Sequence, residues 1–275
     1  MLRNGLRCAG RRAVNGIVLA VAAGVLAACV TTSPDTGSSD TGLSAATASN
    51  GKAVVIVGRG LRVPGLAEYR QELASPTKPI DHDVKSPVWD VTFELRRFDP
   101  VTRKTLGSGF FGSAGSNDIK LHIDVRDAFI QEFDTTEAVA RGLLSLGLSA
   151  AFKFDLDTTQ YKAYEVEAGH WTLAKFTTNV VSWSVNNITH HMLVSRDGTL
   201  RPGAYTFEVK PGEVVYVGDM TLVIPLRRAD RSSRVIYSAD GWKMRVAFDP
   251  DAMAKGYDGI DRYPTLQNRP MTPIQ

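Results

Sequence analysis

Alternation of apolar and polar residues is the most frequent pattern along this chain, and it predicts β-strands. Apolar and polar side chains alternate over Trp89–Phe98 and again over Ile119–Val125, as in strands with one buried face. Ala53–Val57 is continuously apolar and rich in β-branched residues, which is typical of a strand buried on both faces. The pattern predicts further strands over residues 151–156, 161–166, 170–177, 180–185, 191–196, 205–210, 213–225, 234–237 and 244–248.

Two segments carry a helical pattern instead. Leu66–Leu73 predicts a short helix within a proline-rich loop, and Thr135–Leu148 predicts a longer one with Thr136 as its N-cap. Gly142 and Gly147 weaken the second prediction, because each costs about 1 kcal/mol of helix propensity relative to alanine. Many short strands separated by Gly, Pro, Asn and Asp predict a mainly β fold, and we expect an antiparallel β-sandwich with one short helix.

A different pattern occupies residues 1–28. Four arginines precede an apolar run from Ala13 to Ala28, in which Asn15 is the only strongly polar residue. A basic region, an apolar region and small residues at its end are the parts of a secretory signal. The run is shorter than the roughly 20 residues of a transmembrane helix, and a polar tract follows it.

The run ends in Leu26-Ala27-Ala28-Cys29, which resembles the lipobox of bacterial lipoproteins. The resemblance implies that the signal is cut before Cys29 and that this cysteine is acylated and begins the mature chain. Val30 stands where enteric-type lipoproteins retained at the inner membrane carry aspartate, so the resemblance favours the outer membrane. An ordinary cleaved signal and an uncleaved anchor are the alternatives.

After Cys29 the chain falls into segments of different amino-acid composition. Residues 30–50 are rich in Ser, Thr, Gly and Ala and cannot bury enough apolar surface to fold, which predicts a flexible linker. We therefore expect a signal peptide over 1–28, a lipidated N-terminus and linker over 29–50, a β-sandwich-like domain over 51–257 with a helical turn at 250–254, and an irregular C-terminal tail over 258–275.

Removal of the signal changes both the charge and the cysteine content. The chain has 32 Lys and Arg against 29 Asp and Glu, but residues 1–28 hold four arginines and no acid. The mature chain then carries 28 basic and 29 acidic side chains, and a net charge of −1 does not indicate nucleic-acid binding. Cys8 leaves with the signal and Cys29 carries the lipid, which excludes disulfides, thiolate metal sites and cysteine catalysis.

The strongest internal motif runs from Leu200 to Met220. Pro202-Gly203 and Pro211-Gly212 predict two tight turns, since proline fixes φ and glycine accepts a positive φ. The strand between the turns presents three apolar residues on one face: Tyr205, Phe207 and Val209. Residues 167–173 repeat part of the motif and predict a strand that lays Trp171 on the core.

This motif resembles that of uncharacterised bacterial lipoproteins of the DUF2846-like kind, which belong with the transthyretin-like, carboxypeptidase-regulatory-like β-sandwiches. The resemblance covers mainly Ala168–Val223, and residues 110–148 have no counterpart in it. It implies a β-sandwich fold and no catalytic residue. We interpret the matching positions as structural: Gly203, Tyr205, Gly212, Tyr216 and Gly218.

Candidate chemistry begins with the five histidines, which are His82, His122, His170, His190 and His191. Neither Asp81-His82-Asp83 nor His190-His191 has the spacing of a zinc motif, and adjacent strand residues point to opposite faces. Aspartates at 249, 251, 258 and 261 lack the spacing of an EF-hand and indicate a solvated acidic tail. We therefore predict neither a metal nor a cofactor.

Motifs for hydrolysis and phosphate binding are also missing. The chain contains no Gly-x-Ser-x-Gly, and Gly107–Gly112 lacks the lysine of a phosphate-binding loop. Trp183 lies in a strand pattern that alternates serine with apolar residues, which occurs on carbohydrate-binding faces as well as in cores. Core packing explains this pattern without a ligand and is the preferred interpretation, and Trp183 and Trp171 are the candidate contacts if a glycan or a partner binds.

These features together predict a lipid-anchored protein of the bacterial envelope, at the outer membrane, held by Cys29. We expect a non-enzymatic structural or interaction module. Its partners would be membrane lipid, through Cys29, and an envelope protein or polymer, but no nucleic acid. The alternative is a periplasmic enzyme, or a lipoprotein that binds a small ligand or glycan in a site assembled from distant Asp, His and Tyr residues.

Overall fold

The computed structural model describes residues 51–81, 84–106, 118–133, 156–182 and 185–275, and strands are present at most of the predicted segments within these ranges. The predicted strand 151–156 lies outside them except for its last residue, and the strand Leu226–Asp230 was not predicted. The longer strands are β1 (Lys52–Arg62), β3 (Asp90–Asp99), β5 (Ile119–Asp124), β6 (Thr158–Glu167), β7 (Gly169–Ser182), β8 (Val185–Met192), β9 (Tyr205–Val209), β10 (Val214–Val223), β11 (Leu226–Asp230), β12 (Val235–Ala239) and β13 (Lys243–Ala247). Two-residue strands are β2 (Ile80–Asp81), β4 (Lys104–Thr105), β14 (Gln267–Asn268) and β15 (Thr272–Pro273). The helices are α1 (Leu66–Ala74), α2 (Val125–Phe133) and α3 (Pro250–Gly256), with a 3₁₀ turn at Ile260–Arg262.

The mainly β fold with several antiparallel sheets is confirmed, with differences in detail. Helices α1 and α3 lie at the predicted segments Leu66–Leu73 and 250–254, whereas α2 is an additional helix. The predicted strand 170–177 lies within β7, which continues to Ser182, while the predicted strand 180–185 includes the end of β7 and the first residue of β8. The predicted strand 191–196 is wrong beyond residue 192, where β8 ends. Asn179 does not interrupt β7, because its side chain donates a hydrogen bond of 3.1 Å to Asp90 on the neighbouring β3. The helix predicted over Thr135–Leu148 lies outside the described residues.

Helix α2 was not predicted, because its sequence continues the apolar residues of β5 without a break. Asp124 ends β5, and its carboxylate accepts a hydrogen bond of 3.0 Å from the backbone N–H of Asp127. That bond satisfies one of the free N–H groups of the first helical turn. Ala128, Phe129 and Phe133 then lie on the buried side of the helix.

Two large sheets and one small sheet organise the strands. The first large sheet has the order β13-β10-β1-β6, with β14 also paired to β10, and its central pair β1/β10 is parallel. The second has the order β15-β9-β7-β3-β4, with β5 on β3 and β8 on β7. The small sheet is β11-β12-β2. The parallel pair β1/β10 departs from the purely antiparallel sandwich that we expected.

One apolar cluster contains residues from both large sheets. Val55 and Val57 of β1 belong to it together with Phe93 and Leu95 of β3, and all four are fully buried. Helix α1 adds Leu66 and Tyr69 to the same cluster, and helix α2 adds Phe129. Burial of such side chains contributes about 1.5–3 kcal/mol each, which makes this cluster the main stabilising feature of the fold.

The predicted tight turns are present in the loops that flank β9. Gly203 and Gly212 have φ angles of +83° and +80°, the left-handed values that favour glycine. Ala204 N–H donates to the carbonyl of Arg201 over 3.0 Å, and Glu213 N–H donates to that of Lys210 over 3.1 Å. Phe207 and Val209 are buried between the turns, as the alternation predicts.

The C-terminal segment, residues 249–275, packs on the other face of the β1–β10–β6 sheet. Met253, Tyr257 and Tyr263 form a second buried cluster there with Val54 and Tyr216. Strands β14 and β15 pair with β10 and β9, although residues 258–275 were predicted as an irregular tail. The segment carries no alternating pattern because its buried residues come from a helix, a 3₁₀ turn and connecting loops.

Candidate functional site

A β-bulge in β10 brings Tyr216 and Asp219 onto one face of the sheet. The pairing of β1 with β10 shifts by one residue after Ile56, and Gly218 has a φ of +122° at the shift. An extra residue in one strand turns the following side chains to the opposite face. A Cβ atom at Gly218 would lie 2.6 Å from the carbonyl oxygen of Ala247, so only glycine fits at the bulge.

Asp219 is a carboxyl group buried beside a hydroxyl group and a glycine. Only 5% of the residue is exposed, and the Tyr216 hydroxyl donates a hydrogen bond of 2.7 Å to its Oδ1. Gly58 of β1 lies opposite, where a Cβ atom would overlap with Oδ1. Burial raises the pKa of Asp219 to about 6, although the hydrogen bond from Tyr216 acts in the other direction. Asp219 therefore exchanges a proton close to neutral pH.

Tyr161 of β6 completes this group from the neighbouring strand. Its ring meets that of Tyr216 edge to face, with centroids 6.2 Å apart and planes at 70°. Burial, followed by the negative charge of Asp219, raises the pKa of Tyr161. Burial and the hydrogen bond to Asp219 raise the pKa of Tyr216. Both phenols therefore stay protonated near neutral pH, and Tyr216 remains a hydrogen-bond donor.

The start of the C-terminal segment and the residue before it contact Tyr216. The ring of Phe248 stacks on that of Tyr216 with centroids 5.2 Å apart. The backbone N–H of Asp249 donates to the Tyr216 hydroxyl over 3.4 Å, and the Asp249 side chain accepts from Ala252 N–H over 2.9 Å to cap α3. Tyr216 therefore contacts both Asp219 and the start of α3.

An open cleft of about 390 Å³ lies between β6 and the end of α3. We call it the Tyr161 cleft. It is lined by Thr159, Gln160 and Tyr161 on β6 and by Gly256, Tyr257, Asp258, Gly259 and Arg262 on the C-terminal segment. Its volume falls within the range of about 300–1,000 Å³ that is usual for small-molecule sites.

Two glycines place the C-terminal backbone directly against tyrosine rings in this cleft. A Cβ atom at Gly256 would lie 3.0 Å from the Tyr161 ring, and one at Gly259 would lie 2.8 Å from Cζ of Tyr257. Tyr257 in turn stacks on Tyr263, with centroids 6.4 Å apart and planes at 10°. A larger residue at either glycine would displace a tyrosine of the cleft.

The lining residues of the Tyr161 cleft carry several groups that can form hydrogen bonds with a ligand. Asp258 and Arg262 are exposed and carry opposite charges, while Thr159 and Tyr161 are half-buried and present hydroxyl groups. The side-chain oxygen of Gln160 accepts a hydrogen bond of 3.2 Å from Arg59 of β1, whose Nη1 also donates to the carbonyl of His122 in the other large sheet, so this amide faces away from Thr159 and Tyr161. The eight lining residues include no Ser, Cys or His to act as a nucleophile paired with a base.

A second buried polar group lies in the other large sheet. Glu94 of β3 is 3% exposed and pairs with Arg96 on the same strand and with Lys175 of β7, whose Nζ lies 3.0 Å from its Oε2. Arg96 also contacts Asp118, with 3.5 Å between Nε and Oδ2. Burial raises the pKa of Asp118. This network was not predicted, because its members lie on three segments with no motif in common.

The tryptophans proposed as glycan contacts do not form a site in the described residues. Trp171 is fully buried, and its Nε1 donates a hydrogen bond of 3.1 Å to the carbonyl of Glu167. Its ring therefore cannot stack on a sugar, and the core packing predicted for it is the correct interpretation. Trp183 lies outside the described residues, as does Cys29.

The histidines are distributed over separate positions. His190 and His191 point to opposite faces, since His190 contacts Thr177 (Nδ1 to Oγ1, 3.0 Å) and His191 stacks on Phe176 with centroids 4.4 Å apart. His122 contacts Thr92, and His170 packs against Phe98. His82 lies outside the described residues. Among the residues that the structure describes, no three His, Cys, Asp or Glu side chains are grouped so as to hold a metal ion.

Comparison of the chain with known protein families, with functionally characterised proteins and with solved structures found no match. The resemblance to the DUF2846-like lipoproteins therefore stays a prediction. Within the described part of the chain, no helix is long and apolar enough to cross a membrane.

Proposed function

We propose that this protein is a lipid-anchored module of a bacterial envelope, held at the outer membrane by acylated Cys29, and that it acts by binding rather than by catalysis. The Tyr161 cleft is its recognition site. The observation that carries the proposal is the composition of this cleft, where exposed Asp258 and Arg262 stand beside two hydroxyl groups. Such a lining offers hydrogen bonds in several directions and holds a polar ligand without reacting with it.

The support for the anchor is the sequence Leu26-Ala27-Ala28-Cys29 after a basic and apolar segment. A single acyl chain binds a membrane only reversibly, so stable attachment needs the several chains that the lipoprotein resemblance implies. The polar composition of residues 30–50 suits a spacer between lipid and domain.

The anchor is tested by Cys29→Ser in the full-length protein. We expect the variant to leave the membrane fraction and the wild type to require detergent for release. Cys8→Ser is the matched control, because this residue lies in the segment removed with the signal, and its product should fractionate like the wild type. Retention of Cys29→Ser in the membranes would refute lipidation at this residue.

The cleft is tested by crosslinking in intact cells. We expect the wild type to capture a specific envelope component, and the double variant Asp258→Asn/Arg262→Gln to lose it. The control is Asp261→Asn/Arg231→Gln, which removes the same charges at exposed positions outside the cleft lining. An equal capture pattern for both double variants would place recognition elsewhere on the protein.

A further inference from the structure

The Tyr161 cleft has features that restrict the chemistry of its ligand. We infer that it takes a neutral polyhydroxylated ligand, namely a sugar unit of an envelope saccharide. This inference rests on the proposed function, in which the cleft is the recognition site, and it names the class of ligand.

The charge of the lining is balanced. Asp258 and Arg262 are its one anion and its one cation, and both are exposed. Around the lining, Arg62, whose Nη2 lies 3.4 Å from the Thr159 hydroxyl, adds a positive charge, and Asp219 and Asp249 add negative charge beside Tyr161. For an anionic ligand the attraction to Arg262 is offset by repulsion from Asp258, and for a cationic ligand the reverse holds, so the lining favours neither net charge, whereas a neutral ligand meets no like charge.

The hydrogen-bonding groups match a row of hydroxyls. A carboxylate only accepts, a guanidinium only donates, and the hydroxyls of Thr159 and Tyr161 do both. Each sugar hydroxyl also donates and accepts, so neighbouring hydroxyls can donate to the carboxylate of Asp258 and accept from the guanidinium of Arg262 at the same time. Hydrogen bonds to charged groups are the stronger ones. A small zwitterion such as glycine pairs with the two charges but leaves the hydroxyls of Thr159 and Tyr161 unmatched.

Tyr161 supplies the aromatic surface for the apolar C–H groups of a sugar ring. Its ring is held by the edge-to-face contact with Tyr216 and by the backbone of Gly256. Ligand binding therefore immobilises no further side chain at this position, which reduces the entropic cost of association. The cleft is open to solvent along one side, which lets a sugar bind while the rest of its polymer remains outside.

The inference is tested by calorimetric titration of the detergent-solubilised full-length protein. The sugar probes are N-acetylglucosamine and its β-1,4-linked dimer, with inorganic phosphate and glycine as the anionic and zwitterionic probes. We expect saturable binding of a sugar probe, with phosphate and glycine binding more weakly or not at all. Asp258→Asn and Arg262→Gln should each weaken sugar binding about tenfold, since each replaces a charge-assisted hydrogen bond by a weaker neutral one.

Asp261→Asn is the matched control and should bind like the wild type, because Asp261 lies in the same short turn but outside the lining. Unchanged melting temperatures for the three exposed substitutions exclude misfolding. The inference is overturned if neither sugar saturates the wild type, if glycine or phosphate binds more tightly, or if Asp258→Asn and Asp261→Asn behave alike. If the cleft variant loses crosslinking in cells but the wild type binds neither sugar, this inference is overturned and the proposed function stands.

Discussion

Glu94 and Asp219 are two carboxyl groups buried to nearly the same depth, and the protein surrounds them in opposite ways. Glu94 is 3% exposed and lies between the cations Arg96 and Lys175. Asp219 is 5% exposed, accepts a hydrogen bond from Tyr216 and lies over Gly58. One site therefore compensates a buried charge with opposite charges, whereas the other has a hydrogen bond from a hydroxyl group and a raised pKa.

The difference shows that depth of burial does not by itself determine how a buried acid affects the protein. Loss of one partner from a buried ion pair leaves the other charge without compensation, which is costly. A buried acid that is partly protonated instead makes stability depend on pH, because folding and proton binding are linked. Substitutions at the two sites should separate these effects.

Glu94→Gln should have the largest effect. It removes the carboxylate that Arg96 and Lys175 share and leaves Arg96 only its 3.5 Å contact with Asp118, so we expect the free energy of unfolding to fall by about 3 kcal/mol, the lower end of the cost of breaking a buried ion pair. Urea denaturation at pH 7 measures the change. In the double variant Glu94→Gln/Lys175→Met one uncompensated cation is removed, and part of the stability should return. A loss well below 1 kcal/mol would show that this ion network does not support the fold.

Gly58→Ala should have the next largest effect. The new Cβ atom would overlap with Oδ1 of Asp219 and lie 2.9 Å from Cγ2 of Thr159, so the strands must shift, at a cost of about 1–3 kcal/mol. Gly60→Ala is the control on the same face of β1, because its Cβ atom would come no closer than 3.0 Å to any neighbour. We expect the denaturation midpoint to fall further for Gly58→Ala. Equal denaturation midpoints for the two variants would mean that the space beside Asp219 can accommodate the new methyl group.

The pH dependence of stability should reveal the proton on Asp219. Its folded pKa is about 6, above the usual value for aspartate, so between about pH 4 and pH 6 the native state binds more protons than the unfolded state. This stabilisation is complete below the unfolded pKa and is lost as pH rises through the folded pKa. Integrated from pH 5 to pH 7, the loss is about 1 kcal/mol.

Asp219→Asn should remove this decrease in stability between pH 5 and pH 7, while it keeps a side-chain oxygen that accepts the hydrogen bond from Tyr216. The comparison with the wild type is needed, since burial also raises the pKa of Asp118 and Asp124 and lowers that of His191. Those groups are present in both proteins and cancel in the difference. Denaturation at pH 5, 6 and 7 therefore isolates Asp219, and parallel stability curves would contradict a raised pKa at this residue.

The sequence was sufficient to predict most of the scaffold, because a strand with one buried face produces alternation wherever it lies. Trp89–Phe98 and Ile119–Val125 correspond to β3 and β5 with few differences at their ends. The turns around Gly203 and Gly212 were also predicted, since their residues act locally. The parallel pairing of β1 with β10 was not predicted, because pairing depends on segments more than 150 residues apart.

The candidate site was harder to predict, because each part of it depends on a tertiary feature. Tyr216 and Asp219 share a face only through the bulge at Gly218, and an isolated glycine in an apolar strand was the available signal. Tyr257 and Arg262 belong to a segment without regular periodicity, which sequence patterns assign to an irregular tail. The sequence pattern around Trp171 was compatible with core packing and with a glycan contact, and only the burial of its side chain in the structure distinguishes the two.

Asp230→Asn should have the smallest effect on stability. It tests whether the burial of a carboxylate or the number of its cationic partners determines the cost of removing it. Asp230 also lies between two cations, Lys78 at 2.7 Å and Arg228 at 3.2 Å, but 48% of its side chain is exposed against 4% for Glu94. Hydrogen bonds from Lys78 and Arg228 lower the pKa of Asp230, yet water and salt compensate the cations when the carboxylate is removed. We expect a urea midpoint at pH 7 within the error of the wild-type value. If Asp230→Asn were as destabilising as Glu94→Gln, the number of cationic partners rather than burial would explain the cost at Glu94, and the contrast with Asp219 would have to be restated in those terms.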